Sequence, residues 1–109
     1  MDSSSGDVQT LFVAMCFDGT ESARIRLESL EEHRKYVNQQ AEIILSSGPL
    51  LEEDGETRCG QLFILALGSL KEASAFIDAD PFTRLGLFDN IIIREFAPIF
   101  SNGIRKNTL

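Results

Sequence analysis

The chain is short of the residues that most often announce a chemistry. Its 109 residues include one histidine, one tyrosine and two cysteines. Cys16 and Cys59 show no CxxC spacing and no accompanying His/Cys cluster, which argues against a zinc site. Both lie in apolar, strand-like runs and read as reduced, buried thiols. There is no Gly-rich phosphate loop, nucleophile elbow or metal-ligand cluster, so no cofactor and no metal are expected. No run approaches the roughly 20 apolar residues that span a bilayer. The opening MDSSSGD has neither the basic and apolar regions of a secretory signal nor the Arg-rich pattern of a transit peptide. A soluble, cytoplasmic protein is the expectation. Positive charge is also scarce: 10 Lys+Arg against 17 Asp+Glu leave a net charge of −7. That balance argues against nucleic acid and against an anionic membrane surface as partners. It does not exclude a small anionic ligand, which feels local charge more than the total.

What is present is an ordinary globular composition, 43% hydrophobic, in a chain long enough for one domain with a small core. Residues 1–8 read as a Ser/Gly/Asp-rich disordered tail, and 101–109, with a Ser-Asn-Gly breaker, as a loose C-terminal tail. Residues 9–100 form the domain.

Thr10–Phe17 is a nearly continuous apolar run of strand length. Asp18-Gly19-Thr20 breaks it, with Thr20 or Ser22 as a helix N-cap. Glu21–Glu42 is helical in pattern: Ala23, Leu27, Leu30, Val37 and Ala41 fall near one face, and His33 shares its edge. The charged residues fill the wet side, where Arg24 and Arg26 are either plainly solvated or draw an anionic substrate toward a cleft. Ile43–Leu45 opens a second strand, which resumes at Leu50-Leu51. The intervening Ser46-Ser47-Gly48-Pro49 predicts a bulge or kink. Glu52–Glu56 is a polar turn with an Asp54-Gly55 hairpin signal. Gly60–Leu67 is the third strand. Ser69 caps a second helix, with Glu72 at the capping-box position and Leu70, Ala73, Phe76 and Ile77 as its apolar stripe. Ile91–Ile99 is the last strand.

This order predicts an α+β fold: a ferredoxin-like βαββαβ antiparallel sheet with two helices on one face. The other face is too apolar to be wet. A homodimer joined face to face, its two sheets forming a dimeric α+β barrel, is therefore expected. Phe12, Phe63, Phe88 and Phe96 are core or dimer contacts.

The second helix stops at Asp80, in front of Pro81. Proline supplies no backbone N–H and pushes its predecessor out of helical geometry, so Asp80 is presented at a fixed bend. The sole imidazole, His33, is its natural partner. His33 stands about 12 residues into its helix, roughly 18 Å along it, whereas the second helix ends near the start of the first. A meeting requires the Asp80–Asn90 connection to fold back, or the first helix to be shorter or displaced. Tyr36, one turn after His33, either lines the same pocket or packs there. Ser47, Gly48 and Pro49 shape the cleft wall, with Ser47 able to hydrogen-bond a ligand.

His33 followed by Tyr36, Ser47-Gly48-Pro49-Leu50, Asp54-Gly55, Gly60 opening a strand, Glu72-Ala73 and Asp80-Pro81-Phe82 together resemble the YCII-related (YciI-like) domain family, from about Thr10 to Ile99. The resemblance implies a fold similar to the muconolactone-isomerase-type dimeric barrels. It also implies a His–Asp pair in a cleft as the active site, at the positions of His33 and Asp80. The family includes a dechlorinating enzyme that acts on a hydroxyquinone. The implied function is cofactor-independent acid/base catalysis, of lyase, isomerase or dehalogenase type, on a small cyclic or hydroxylated aromatic molecule. The competing reading is a non-catalytic dimeric module that binds a small ligand or acts as a scaffold, with His33 a hydrogen-bonded core residue.

Overall fold

A computed structural model describes residues 10–105. The tail expected over residues 1–8 lies outside the described residues, as do residues 106–109. The long elements are β1 (Leu11–Asp18), α1 (Ser22–Gln39), β2 (Ile44–Leu51), β3 (Arg58–Ala66), α2 (Leu70–Ala79) and β4 (Phe88–Phe96). A four-residue helix, α3 (Pro81–Arg84), lies between α2 and β4, and a 3₁₀ turn (Ala41–Ile43) joins α1 to β2. The four strands pair antiparallel in the order β2-β3-β1-β4. With both long helices on one face, this is the ferredoxin-like α+β arrangement.

Along β1 a buried row, Phe12, Ala14 and Cys16, alternates with a half-buried one. The buried row meets Phe63 and Leu65 of β3 beneath Ala73, Phe76 and Ile77 of α2. Fully burying one such phenylalanine contributes about 1.5–3 kcal/mol. A Cβ at Gly60 would collide with the Cys16 carbonyl, so the two strands approach this closely only with glycine there. Val13 and Met15, in register with Ile64, Leu62 and Ile92, form with Phe17 the opposite face, apolar and half-buried.

α1 departs most from the expected pattern. Glu21, not Thr20 or Ser22, holds its N-cap position, and its side chain makes no capping hydrogen bond to the backbone. Its buried line is Ile25, Ser29 and His33, while Leu27 is 82% exposed. Ser29 leaves helical geometry at φ −122°, ψ 15°, and its hydroxyl donates to the Ile25 carbonyl at 2.6 Å. Such back-bonding bends a helix, so the two halves face different partners. Ile25 packs with Phe82 and Leu87, and Tyr36 and Val37 pack on the sheet core. A serine and a histidine on the buried line disguise it as polar, because their polar atoms are satisfied inside the protein.

Smaller corrections have equally local reasons. β2 runs unbroken through Gly48-Pro49, and its register shifts lie between Ile44 and Ser46 and between Leu50 and Leu51. Pro49 is tolerated because β2 is an edge strand. β4 starts and ends earlier than Ile91–Ile99: Phe88 and Asn90 still pair with Asp18 and Phe17, and Ala97-Pro98 cannot extend the ladder. Leu70 is exposed, and Cys59 is only half-buried. Beyond β4, β5 (Phe100–Ser101) and β6 (Ile104–Arg105) form a short hairpin around Asn102-Gly103. Both turn residues have positive φ, as a tight hairpin turn demands.

Candidate active site

Asp80 is the junction of two helices. As the C-cap of α2 it lies in extended geometry, φ −66° and ψ 129°, which the following proline enforces. It is also the N-cap of α3, its Oδ1 accepting from the Phe82 N–H at 2.9 Å, with Pro81 in the first helical turn. Gly86, at φ 80°, closes α3: its N–H reaches the Thr83 carbonyl and the Leu87 N–H reaches the Phe82 carbonyl. That is a Schellman close, and it explains Gly86 in a connection expected to be irregular. The Asp80 residue is 0% exposed.

α3 also removes the reach problem. α1 has 18 residues and α2 has 10, about 27 Å and 15 Å of helix. α2 therefore ends opposite the middle of α1. α3 and Leu87 fold back beneath the first turns of α1, against Ile25. His33 then meets Asp80 directly: its Nδ1–H donates to Oδ1 at 2.8 Å and lies 3.1 Å from Oδ2. Phe82 stacks flat on the imidazole, with centroids 3.9 Å apart and planes 6° apart. The ring is thus fixed on an edge and on a face. The His33 side chain keeps 11% of its surface exposed. Nε2 has no hydrogen-bond partner among the described residues and is not one of the atoms sealed without a partner.

The other expected site residues are placed differently. The Tyr36 hydroxyl donates to the Phe76 carbonyl at 2.6 Å, and the two rings stack, so it staples α1 to α2. Ser47 pairs with Phe63, and Pro49 with Gln61. These are in register with Ala14 and Cys16, so Ser47 and Pro49 project on the helix side of the sheet. Gly48 pairs with Leu62 and belongs to the opposite face. Arg24 sits in solvent between Glu21 and Glu28. Arg26 instead turns inward to Asp18. Sequence reasoning passed over Phe82, Asp18 and Ser29. Only the Asp-Pro-Phe order hinted that an aromatic ring follows the acid into the site. Among the described residues no group of three His, Cys, Asp or Glu side chains is placed to hold a metal ion.

Two acids near the pair are pushed up to about 12. For Cys16 the causes are burial, then the charges of Asp80 and Asp18; for Tyr36 they are burial, then Asp80. Raised acid pKa values mean that the folded state holds these protons more tightly than the unfolded chain. Their contribution is complete below the unfolded pKa and is lost as pH rises through the folded value. Stability should therefore fall from about pH 8.5, where an unfolded cysteine begins to ionise, at up to about 1.4 kcal/mol per pH unit for Cys16. Tyr36 adds to the slope from about pH 10. Urea melts of wild type and Cys16→Ala between pH 7 and 10 check this. The variant should lose most of the decline below pH 10, the remainder coming from Cys59, whose thiol is also raised by burial and by the charges of Glu52 and Asp18, and an unchanged slope would refute the assignment.

A ferredoxin-like α+β domain with a buried imidazole–carboxylate pair between its helices is the class defined by this fold and geometry. The YCII-related domain matches residues 10–97, and the chain belongs to that family. Its structure is similar to that of 5-chloro-2-hydroxyhydroquinone dehydrochlorinase from Burkholderia phenoliruptrix, solved in complex with 2,5-dihydroxybenzoquinone. The two share 27% identity at a TM-score of 0.72, over 80% of this chain and 93% of that one. A protein of Pseudomonas aeruginosa, 15% identical at a TM-score of 0.51 over 88% of this chain and 99% of its own, shares the fold. No curated protein matches significantly by sequence. No helix among the described residues is long and apolar enough to cross a membrane.

Proposed function

We propose that residues 9–100 form a homodimeric, cofactor-independent acid/base enzyme of lyase, isomerase or dehalogenase type. Its substrate is a small hydroxylated aromatic or other enolisable ring. The observation that carries this reading is the 2.8 Å bond from His33 Nδ1 to an Asp80 with no exposed surface. A carboxylate on Nδ1 fixes the tautomer that leaves Nε2 as the proton acceptor. Nε2 takes a proton from a ring hydroxyl and returns it to a ring carbon, giving a keto tautomer, which completes an isomerisation; where that carbon carries a leaving group, loss of a second hydroxyl proton to Nε2 then expels the leaving group with its bonding pair. The Asp80 charge stabilises the imidazolium that results. The likeness to a dehydrochlorinase of a chlorinated hydroxyhydroquinone supports the substrate class. Ser47 and Pro49, exposed on the helix side of the edge strand, are the proposed wall of the cleft, and Tyr36 braces α1 against α2 one turn beyond His33.

The apolar face of Val13, Met15, Leu62, Ile64 and Ile92 supports a second copy as its cover. Light scattering on the eluting protein should give twice the chain mass, and Met15→Asp should give a monomer. A wild-type monomer would remove the barrel from the proposal. The activity is tested with a panel of hydroxylated aromatics and lactones, including 5-chloro-2-hydroxyhydroquinone, read by thermal shift and by chloride release. At least one hydroxylated ring should stabilise the protein and be turned over. Binding without turnover across the panel favours a ligand-binding module, and no binding at all rejects both readings.

A further inference from the structure

The helix-side row of β3 is Gln61, Phe63 and Leu65, all three buried. Phe63 and Leu65 belong to the core. Gln61 is polar, yet only 9% exposed, and a buried amide is expected to be hydrogen-bonded. Ser29, Tyr36 and Asp80 all spend side-chain polar atoms on protein partners. The Gln61 carboxamide has no partner among the described residues, and neither of its atoms is one of those sealed from solvent without a partner. It opens onto a space and not onto packed protein.

Register and topology say which space. On the helix side of the sheet, Gln61 stands between Pro49 of β2 and Cys16 of β1. Cys16 has no exposed surface and feels the charge of Asp80, so the end of α2 stands over β1 there. α1 joins β1 to β2 across the intervening β3, and such a crossover lays its helix over the strand it skips. His33 reaches from α1 to Asp80 at 2.8 Å. Gln61, one strand or about 4.8 Å from Cys16, therefore sits under the α1 side of the ion pair, as Cys16 sits under the Asp80 side. α2 lies close on β1 and β4, whereas α1 leans on α3 and approaches no strand as closely. Ser47 and Pro49, on the neighbouring edge strand, are exposed. The gap between α1 and β3 thus opens at the β2 edge, with the imidazole on its helix side and the carboxamide on its sheet side.

We propose that Gln61 is a specificity-determining residue of this cleft: its amide N–H donates to a second ring oxygen of the ligand, one that His33 does not touch, so that rings carrying two oxygens are preferred to rings carrying one. This rests on the reading that a hydroxylated ring lies against His33. A carboxamide suits the task because it both donates and accepts. It holds that oxygen equally as a hydroxyl or as an oxo group, and being neutral it adds no charge beside Asp80.

The test is calorimetric titration of the full chain at pH 7 with hydroquinone and phenol, on wild type and on Gln61→Leu, with urea melts of both proteins. Wild type should bind hydroquinone about tenfold more tightly than phenol, the worth of one buried hydrogen bond. Gln61→Leu should level the two, and its urea midpoint should be equal or higher, since no protein partner is stranded when the amide goes. A merely structural amide gives the reverse, a lower midpoint with the preference intact, and that result overturns the inference. Equal wild-type affinities for the two compounds also overturn it. If His33→Asn still abolishes turnover in either case, the proposed function stands without it. Should Gln61→Leu fail to fold, Gln61→Met is judged by the same criteria, and failure of both to fold makes the amide structural and overturns the inference. If neither compound binds wild type, this inference and the reading beneath it both fall.

Discussion

His33→Asn should lower turnover by about 10²–10⁴-fold, the usual contribution of a positioned acid/base, in a protein that still folds. The asparagine amide nitrogen reaches the place of Nδ1, so the buried Asp80 carboxylate keeps a donor. The imidazole Nε2 is gone, and with it the proposed proton acceptor. His33→Ala is the harsher version. It also removes the ring that Phe82 covers at 3.9 Å and strands Asp80, and breaking a buried pair from one side costs about 3–5 kcal/mol. Both variants should lose turnover, but only His33→Ala should show a large fall in the urea midpoint. Full activity of His33→Asn on a verified substrate would make the imidazole a structural group.

Asp80→Ala should also be strongly destabilising, because one side chain holds three pieces together. It caps α3 through Phe82, it anchors His33, and it sits at the end of α2. The lost cap costs about 1 kcal/mol and the lost charged hydrogen bond about 1.5–3 kcal/mol. A fall of about 2.5–4 kcal/mol in unfolding free energy is expected. Asp80→Asn separates the roles, since its amide oxygen can still accept from both Phe82 and His33 where Oδ1 does now. That variant should retain most of the stability and lose most of the turnover, as the charge that stabilises imidazolium is absent. Equal stability losses in the two variants would mean that the charge itself, and not the cap, holds the junction. Unimpaired turnover in Asp80→Asn would detach Asp80 from the reaction.

Much of this protein follows from local rules applied along the chain. Ser69 caps α2, accepting from the Glu72 N–H at 3.1 Å, where the capping box placed it. Asp80 ends α2 because a proline follows. The alternation of β1 and the run in β3 announce a sheet, and their order with the helices announces its topology. Each of these depends on contacts within a few residues, which is why sequence carries them. The stripe of α1 was not legible, because Ser29 and His33 look polar until their partners are known. The role of Tyr36 was left open for the same reason. Its hydroxyl is used 40 residues away, at Phe76.

By itself, the sequence determined the element order, the bend at Asp80 and the choice of the single imidazole as the residue to watch. Tertiary structure alone decided that His33 and Asp80, 47 residues apart, meet. The reason is a difference in helix length. α2 ends at the midpoint of α1, and the four residues of α3 fill the space that the shorter helix leaves. Tertiary structure also turned Arg26 inward to Asp18 and laid Phe82 on the imidazole. Whether a charge is solvated or paired is set by what the fold brings against it.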